Sequence, residues 1–564
     1  CRYRCLDPLL PALQHLIAPS VACDLLDIFF KKPGTSLFHF ASPYVITHVV
    51  RRKALLHPTQ PRPTSPALLA TMLWCAAQTA DVGPFYVPGS RAKIIDGLFS
   101  LSMSLLRQRD VDDWYRVHGG WRLIDDCVMD PDHIQWAASH RTFPERPSVN
   151  VDDVFTLILL TIVISGGDFK ADCLKWWSKT TRLVKLLRLN CLDRGWPDCP
   201  DDSGQQEFAS LEAQEEERRA FWLTYCLDRH LALSFNSPLH IYDSECHVFT
   251  PLPERVWENL EAFAPETLPP RSLGPPLIIS GAGFFEYFLP LMAILGDIID
   301  FHHRQSHPRM AACDYSQPLG IIEDMLLHCE HSLTTLPLLD AAAATASPHC
   351  SSSSPHEYEL SHLDSNNPGS SSNGGASATA RAHRSSIGSS MDLSDRGIQL
   401  VIAYSTHILH VLHVLLHGKW DAMSMLEEND DWITSPRFMK CASHAIAAAQ
   451  SLAHILTFDP ELAFMPYLFG IYMLHGSFIL LLFADRMPQL GPNESVEQAC
   501  EIIIRAHEAC VVTLSTDFQK TFRKALRSTL LSFQGTNPSV DFSKARRTVL
   551  SVYRWTRGDR GLAL

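Results

Sequence analysis

The sequence contains no CxxC pair, no Walker A loop, no GxGxxG opening a helix after a strand, no nucleophile elbow and no HExxH. These absences exclude the common zinc frameworks, P-loop nucleotide hydrolysis, dinucleotide binding, α/β-hydrolase chemistry and zincin-type proteolysis. No secretory signal peptide opens the chain. Nor does a methionine: residue 1 is Cys, in the middle of an apolar-plus-proline pattern, and the chain reads as one missing its true N-terminus. A formal charge of −13 excludes the chain as a whole from serving as an electrostatic footprint for nucleic acid, so any DNA contact needs a small, locally basic module.

What is present is apolar. A hydrophobic fraction of 46%, with 12 Trp and 28 Phe, can fill a sizeable core over 564 residues. Sixteen cysteines are scattered, mostly among apolar neighbours, where cysteine behaves as a small hydrophobe. That usage fits a reducing compartment, cytosol or nucleus. Residues 22–30 read as an amphipathic helix ended by Pro33-Gly34, and 58–66 as a proline-biased extended linker. Residues 66–80 read as a helix with proline in its first turn, 152–188 as two helices parted by Gly166-Gly167, and 283–303 as another. An acidic loop (198–207) and a proline-rich segment (251–276) flank a further helix, and Ala, Ser, Asn, Gly and His dominate residues 341–390, which have little to bury. Helical patterning resumes at Leu393 and continues to Arg527. The expected fold is all-α: a large helical domain in two halves, residues 1–340 and 393–564, around a disordered Ser-rich insert, 341–392.

Several constellations invite a chemical reading. His407, His410, His413 and His417 recur at three- and four-residue spacing, which puts neighbouring rings on one helical face. No carboxylate or cysteine interleaves with them, so a polar stripe or packed histidines competes with a metal site. Asp125, Asp126 and Asp130 resemble the aspartate-rich, magnesium-binding pattern of the all-helical terpene cyclases. The second metal motif of that family is missing, because Asn429-Asp430-Asp431 lacks the serine and glutamate at the needed offsets. A magnesium-dependent lyase is therefore the weaker alternative. Residues 465–484 are long and apolar enough to span a bilayer, but Pro466 and His475 favour a buried core helix and no membrane partner. Basic residues crowd the chain from Lys520 onward, where apolar neighbours such as Val549, Tyr553 and Trp555 point to a docked tail.

Residues 215–239 carry the most information, reading EEERRAFWLTYCLDRHLALSFNSPL. Glu215, Glu216 and Glu217 suit the positive end of a helix. Phe221, Trp222, Leu223, Tyr225 and Leu233 supply a broad apolar stripe, and Asp228 and Arg229 interrupt it as a pair. Pro238 is expected to stop the helix. This stretch resembles the signature helix of the middle regulatory region of fungal zinc-cluster transcription factors. Residues 42–80, 174–190, 403–421, 458–485, 503–514 and 553–564 resemble, more specifically, the regulatory region of xylanolytic activators in that family.

The resemblance implies a nuclear regulatory region, shuttling with the cytoplasm included, that controls genes of plant-polysaccharide degradation and is not an enzyme. It assigns Glu217, Arg218, Arg219, Phe221, Trp222, Tyr225, Asp228, Arg229 and Pro238 to the core of the regulatory motif. It places no cofactor in this chain, with zinc held by an N-terminal six-cysteine cluster that these residues lack. The implied partners are DNA through that missing module, the transcription machinery or co-regulators, a second copy of the chain and a sugar-derived inducer. Residues 393–564 are the expected switch. A stand-alone co-regulator without DNA binding is the other reading the residues leave open.

Overall fold

A computed structural model describes residues 1–31, 45–80, 82–110, 148–165, 170–194, 208–310, 312–345, 393–420, 431–465, 467–490 and 494–513. Among these residues the architecture is all-α, as the sequence predicts. The β-pairing found is an isolated bridge between Phe249 and Leu273. The aspartates at 125–130, the acidic loop 198–207, most of the low-complexity stretch and the basic tail lie outside the described residues.

The helices run in chain order as α1 (Leu10–Leu13), α2 (Pro19–Phe29), α3 (Arg52–Leu55), α4 (Pro66–Thr79), α5 (Ser90–Arg109), α6 (Val151–Ser165), α7 (Lys170–Leu186) and α8 (Phe208–Phe235). They continue as α9 (Glu254–Glu258), α10 (Phe284–Gln305), α11 (Ser316–Thr345), α12 (Leu393–His417), α13 (Pro436–Phe458), α14 (Phe469–Leu490) and α15 (Glu494–Thr513). Several starts follow directly from sequence. Pro66 and Pro436 sit at first-turn positions, where a missing amide proton costs nothing, and Ser65 and Ser435 cap those helices by accepting from Leu68 N and Phe438 N.

In the first half α4 packs against α2, α5 and α6, and α6 against α7 and α8. α6 is buried from Asp152 to Ile162, which explains its unbroken apolar run. In the second half α12 and α13 form the most extensive helix pair, with α14 and α15 packed against them. α10 joins the halves by touching α8, α11 and α12. One apolar core runs continuously from Cys5 to Ala506. Across the seam His302 stacks on Trp420 (3° between ring planes, centroids 4.0 Å apart), and the Tyr472 hydroxyl lies 3.2 Å from the Met292 sulfur.

Two expectations need correction. α8 begins at Phe208, so Glu215, Glu216 and Glu217 lie two turns inside the helix and not at its positive end. The residues before them (Glu212, Ala213, Gln214) are strong helix formers and extend the helix backwards. The helix also stops before Pro238. Asn236 takes a left-handed conformation (φ 46°), and Ser237 N donates to Ala232 O while Asn236 N donates to Leu233 O. That is a Schellman closure, and Pro238 only follows it. α11 was not anticipated from the sequence; it carries Pro337 in its interior and reaches into the alanine-rich stretch. Among the described residues one helix, Arg396–His417, is long and apolar enough to cross a membrane. Of its most apolar stretch 72% is buried inside the fold, and the part of 465–484 that falls on α14 is likewise buried from Ile471 to Ser477, with Gly476 set against Val411.

Candidate functional site

The signature helix α8 is the axis of a buried ion-pair system. Arg219 is fully buried and each of its three nitrogens donates: Nε to Glu215 Oε1 (3.2 Å), one terminal nitrogen to His48 O (2.7 Å) and Glu254 Oε2 (2.9 Å), and the other to Leu252 O (2.6 Å). Its guanidinium also lies 4.8 Å from the centre of the Trp257 ring. Glu215 in turn accepts from Leu252 N (2.7 Å) and Arg271 (2.9 Å). Burial pushes the Glu254 carboxyl up, but Arg219 and His48 outweigh it and hold it down at about 2.

Flanking residues extend the system outward. Glu216 accepts from Arg62 Nε (2.8 Å), whose terminal nitrogen reaches Asp152 Oδ1 (2.7 Å) at the start of α6. Asp152 also accepts from Ser65 N (2.6 Å), the cap residue of α4. One arginine thereby ties α8, α6 and the start of α4 together. Burial raises the Glu216 carboxyl to about 7, against the pull of Arg62. Arg218 grips Asp193 through two nitrogens (2.6 and 3.0 Å), and Asp193 also accepts from Phe249 N (2.8 Å). Glu217 is half-buried beside Arg218, and burial raises its carboxyl.

A second cluster forms at the helix's C-terminal end. Asp228 is fully buried and accepts from Trp177 Nε1 (3.2 Å), His240 N (2.9 Å) and Ile241 N (3.0 Å). It therefore holds the turn after the helix, 236–241, against α7 and α8. Arg229 lies over the Tyr225 ring (3.3 Å to its centroid) and donates to Asp243 Oδ1 (2.7 Å), which the Tyr225 hydroxyl also reaches (2.8 Å). Phe221 and Trp222 are fully buried edge to face, and Trp222 Nε1 donates to Phe249 O (2.8 Å). Pro238 is exposed; the buried anchor of that turn is Leu239.

The sequence pattern thus located one side of each pair. It missed Arg62, Asp152, Asp193, Asp243, Glu254 and Arg271, which sit in loops or at helix starts. The available signal was the surplus of charge inside an apolar stripe, which demands partners without naming them.

The four histidines do lie on one helix, α12, and they face α11 and α13. His407 Nδ1 is 2.9 Å from Ala448 O, His410 Nδ1 is 3.2 Å from His444 Nδ1, and His413 stacks on His444 (3.9 Å between centroids). His417 Nε2 meets Glu323 Oε1 at 3.2 Å, and Lys440 shares that carboxylate. Burial holds His407, His417 and His444 down at about 4 and His413 at about 3, with neighbouring imidazoles adding to the effect for His413 and His444. Desolvation favours the uncharged rings, which pair with each other, with backbone or with Glu323 instead of converging on one point. Among the described residues no group of three or more His, Cys, Asp or Glu is arranged to hold a metal ion.

The site is thus a long helix built round a buried arginine network, set in an all-α body. Residues 132–301 match the fungal specific transcription factor domain. Along its whole length it is 38% identical to the xylanolytic transcriptional activator of Aspergillus clavatus, covering 60% of that protein. It is 37% identical to the xylanolytic transcriptional activators of Aspergillus niger and Emericella nidulans, covering 62% and 64% of them. The chain thus spans somewhat less than two thirds of the curated relatives it matches. No solved structure matches it.

Proposed function

We propose that this chain is the regulatory region of a fungal activator of xylanolytic and cellulolytic genes, acting by regulation and not by catalysis. The observation that carries the reading is end-to-end similarity to xylanolytic transcriptional activators, joined to the domain match that includes most of α8 and α10. In this reading the parent protein works in the nucleus and reads DNA through a zinc cluster N-terminal to this region. These 564 residues supply no CxxC pair for such a cluster.

The switch is proposed to be residues 393–564. Their described segments meet the first half along a seam where His302 stacks on Trp420 and where His230 and Tyr287 face Tyr467 and Phe464. An inducer signal changes the packing at this seam only if the signal favours one arrangement over the other, whether a sugar metabolite binds directly or a partner protein relays it.

The test is a chimera. The matching region of the Aspergillus niger activator is replaced by this chain, and a xylanase-promoter reporter is read with and without xylan-derived sugars. Inducer-dependent expression is expected, and removal of residues 393–564 from the chimera should alter that dependence. A chimera that is nuclear and abundant but silent under every condition would overturn the functional reading. An unaltered response after the truncation would overturn the assignment of the switch.

A further inference from the structure

We propose that Cys1 and Cys23 form a reversible disulfide that clamps the N-terminal strap of the chain onto α2 when the protein meets a hydroperoxide. Residues 1–3 precede the first helical turn (Arg4–Leu6) and lie along α2, held by Asp27, which takes both the Arg2 guanidinium and the Tyr3 hydroxyl (2.8 Å). This anchoring brings Cys1 Sγ to 3.2 Å from Cys23 Sγ. Two sulfurs at that separation need to move by about 1 Å to reach bonding distance. The pair is also asymmetric: Cys1 is exposed, whereas Cys23 is 2% exposed on the inner side of α2. An accessible thiol beside a sheltered one is the arrangement of an attacking and a resolving cysteine.

A third thiol sharpens the assignment. Cys5 is buried next to Cys23, and burial together with Cys23 pushes it up to about 11, so it stays protonated and inert. Cys75, in the centre of α4, is fully buried and also held as thiol. The strap further lines a cleft of about 700 Å³ with Asp27, Lys31, Arg51 and Arg52, so the clamp would fix one wall of that cleft.

The chemistry balances with a hydroperoxide as oxidant. The Cys1 thiolate attacks the terminal peroxide oxygen; the O–O bond breaks, and the leaving alkoxide or hydroxide takes up a proton. Cys1 is then a sulfenic acid. Cys23 loses its proton and attacks the Cys1 sulfur, forming the S–S bond and expelling the sulfenic oxygen as water. Two thiols and one hydroperoxide give one disulfide, one alcohol or water, and one further water. Two equivalents of a small thiol reverse the step by exchange.

The experiment treats the reduced chain with a small excess of hydrogen peroxide, blocks free thiols and digests with trypsin without reductant. Trypsin cuts after Arg2, so the disulfide leaves the dipeptide Cys1-Arg2 attached to the fragment 5–31. Fragmentation of that product is expected to place the link at Cys23, with most chains converted and full reversal by dithiothreitol. Cys5→Ser should keep the link, Cys1→Ser should abolish it without changing helix content, and Cys23→Ala should leave Cys1 as a sulfenic acid trapped by a 1,3-dione. A link to Cys5 or to Cys313, or a trapped Cys1 sulfenic acid in the unsubstituted chain with no link, would overturn the proposal.

Discussion

The two halves of this protein bury polar side chains in opposite ways. Around α8 the buried groups are charged and matched: Arg219 with Glu215 and Glu254, Arg62 with Glu216 and Asp152, Arg218 with Asp193. Around α12 and along the seam they are imidazoles that have given up their charge. His407, His413, His475 and His507 are all buried and held at about 3 or 4 by desolvation. The first arrangement is intolerant of losing a partner, because a stranded buried charge is far costlier than a missing contact. The second tolerates substitution by apolar groups but is intolerant of protons. Structure of one kind suits a fixed frame and structure of the other suits an element that responds to conditions.

The largest effect is expected from breaking the frame. Arg219→Met removes the cation that Glu215 and Glu254 share and leaves two buried backbone carbonyls without their donor, and should cost about 3–5 kcal/mol in chemical denaturation. Arg219→Lys should recover little of it, since one ammonium cannot serve acceptors on α8, the 249–254 segment and His48 together. A loss under about 1 kcal/mol for Arg219→Met would mean that the network decorates the core without fixing it.

Next comes acid. An imidazole with its ordinary value near 6.5 in the unfolded chain and about 4 in the folded one binds its proton first when unfolded. Its stabilising effect is therefore complete above about pH 6.5 and is lost as pH falls towards 4. Between pH 7 and pH 5 each such buried histidine should remove about 2 kcal/mol. Two buried carboxyls of the first half respond in the opposite direction over the same window. Burial raises Glu216 to about 7 and Asp297 to about 6, so these groups bind protons more readily when folded and favour the folded state as pH falls. Its two neutral imidazoles, His230 and His302, face Tyr467 and Trp420 across the seam. Hydrogen exchange at pH 5 should show α12, α13 and the seam opening before α4, α6 and α8. Simultaneous opening of both halves would remove the distinction.

A smaller effect follows from substituting within the histidine stack. His413→Phe keeps a flat ring against His444 and should change stability at pH 7 by less than about 1 kcal/mol. It should also flatten the pH 7 to pH 5 loss by about 2 kcal/mol, the share of one imidazole. If the variant is strongly destabilised at pH 7 and keeps the full pH dependence, neutral packing is not what the stack contributes.

The legibility of these features tracks how local their physics is. The start of α4 was readable because proline suits a first turn, and α6 because an unbroken apolar run can only be buried. The three- and four-residue spacing of His407, His410, His413 and His417 put them on one face, but that His444 of α13 would stack there is a tertiary fact. The same holds for the arginines. Arg62 and Glu216 are 154 positions apart, so the sequence could show that Glu216 needs a cation and not which one. The acidic triplet was misplaced at a helix start because carboxylates favour both a first turn and, when paired, an interior.

The smallest predicted effect concerns the end of α8, where sequence and structure disagree about which residue matters. Proline is read as a stop because it cannot extend a helix, yet here Asn236 has already closed the helix with a left-handed turn and two backbone bonds. Pro238 is exposed and accepts no part of the Asp228 cluster. Pro238→Ala should therefore shift stability by no more than about 0.5 kcal/mol, mostly by loosening the unfolded chain. Asp228→Ala, ten positions earlier, uncaps His240 N, Ile241 N and Trp177 Nε1 together and should cost several times more. Equal losses from the two variants, measured in the same denaturant titration, would mean that the turn is held by its proline and not by the buried aspartate beneath it.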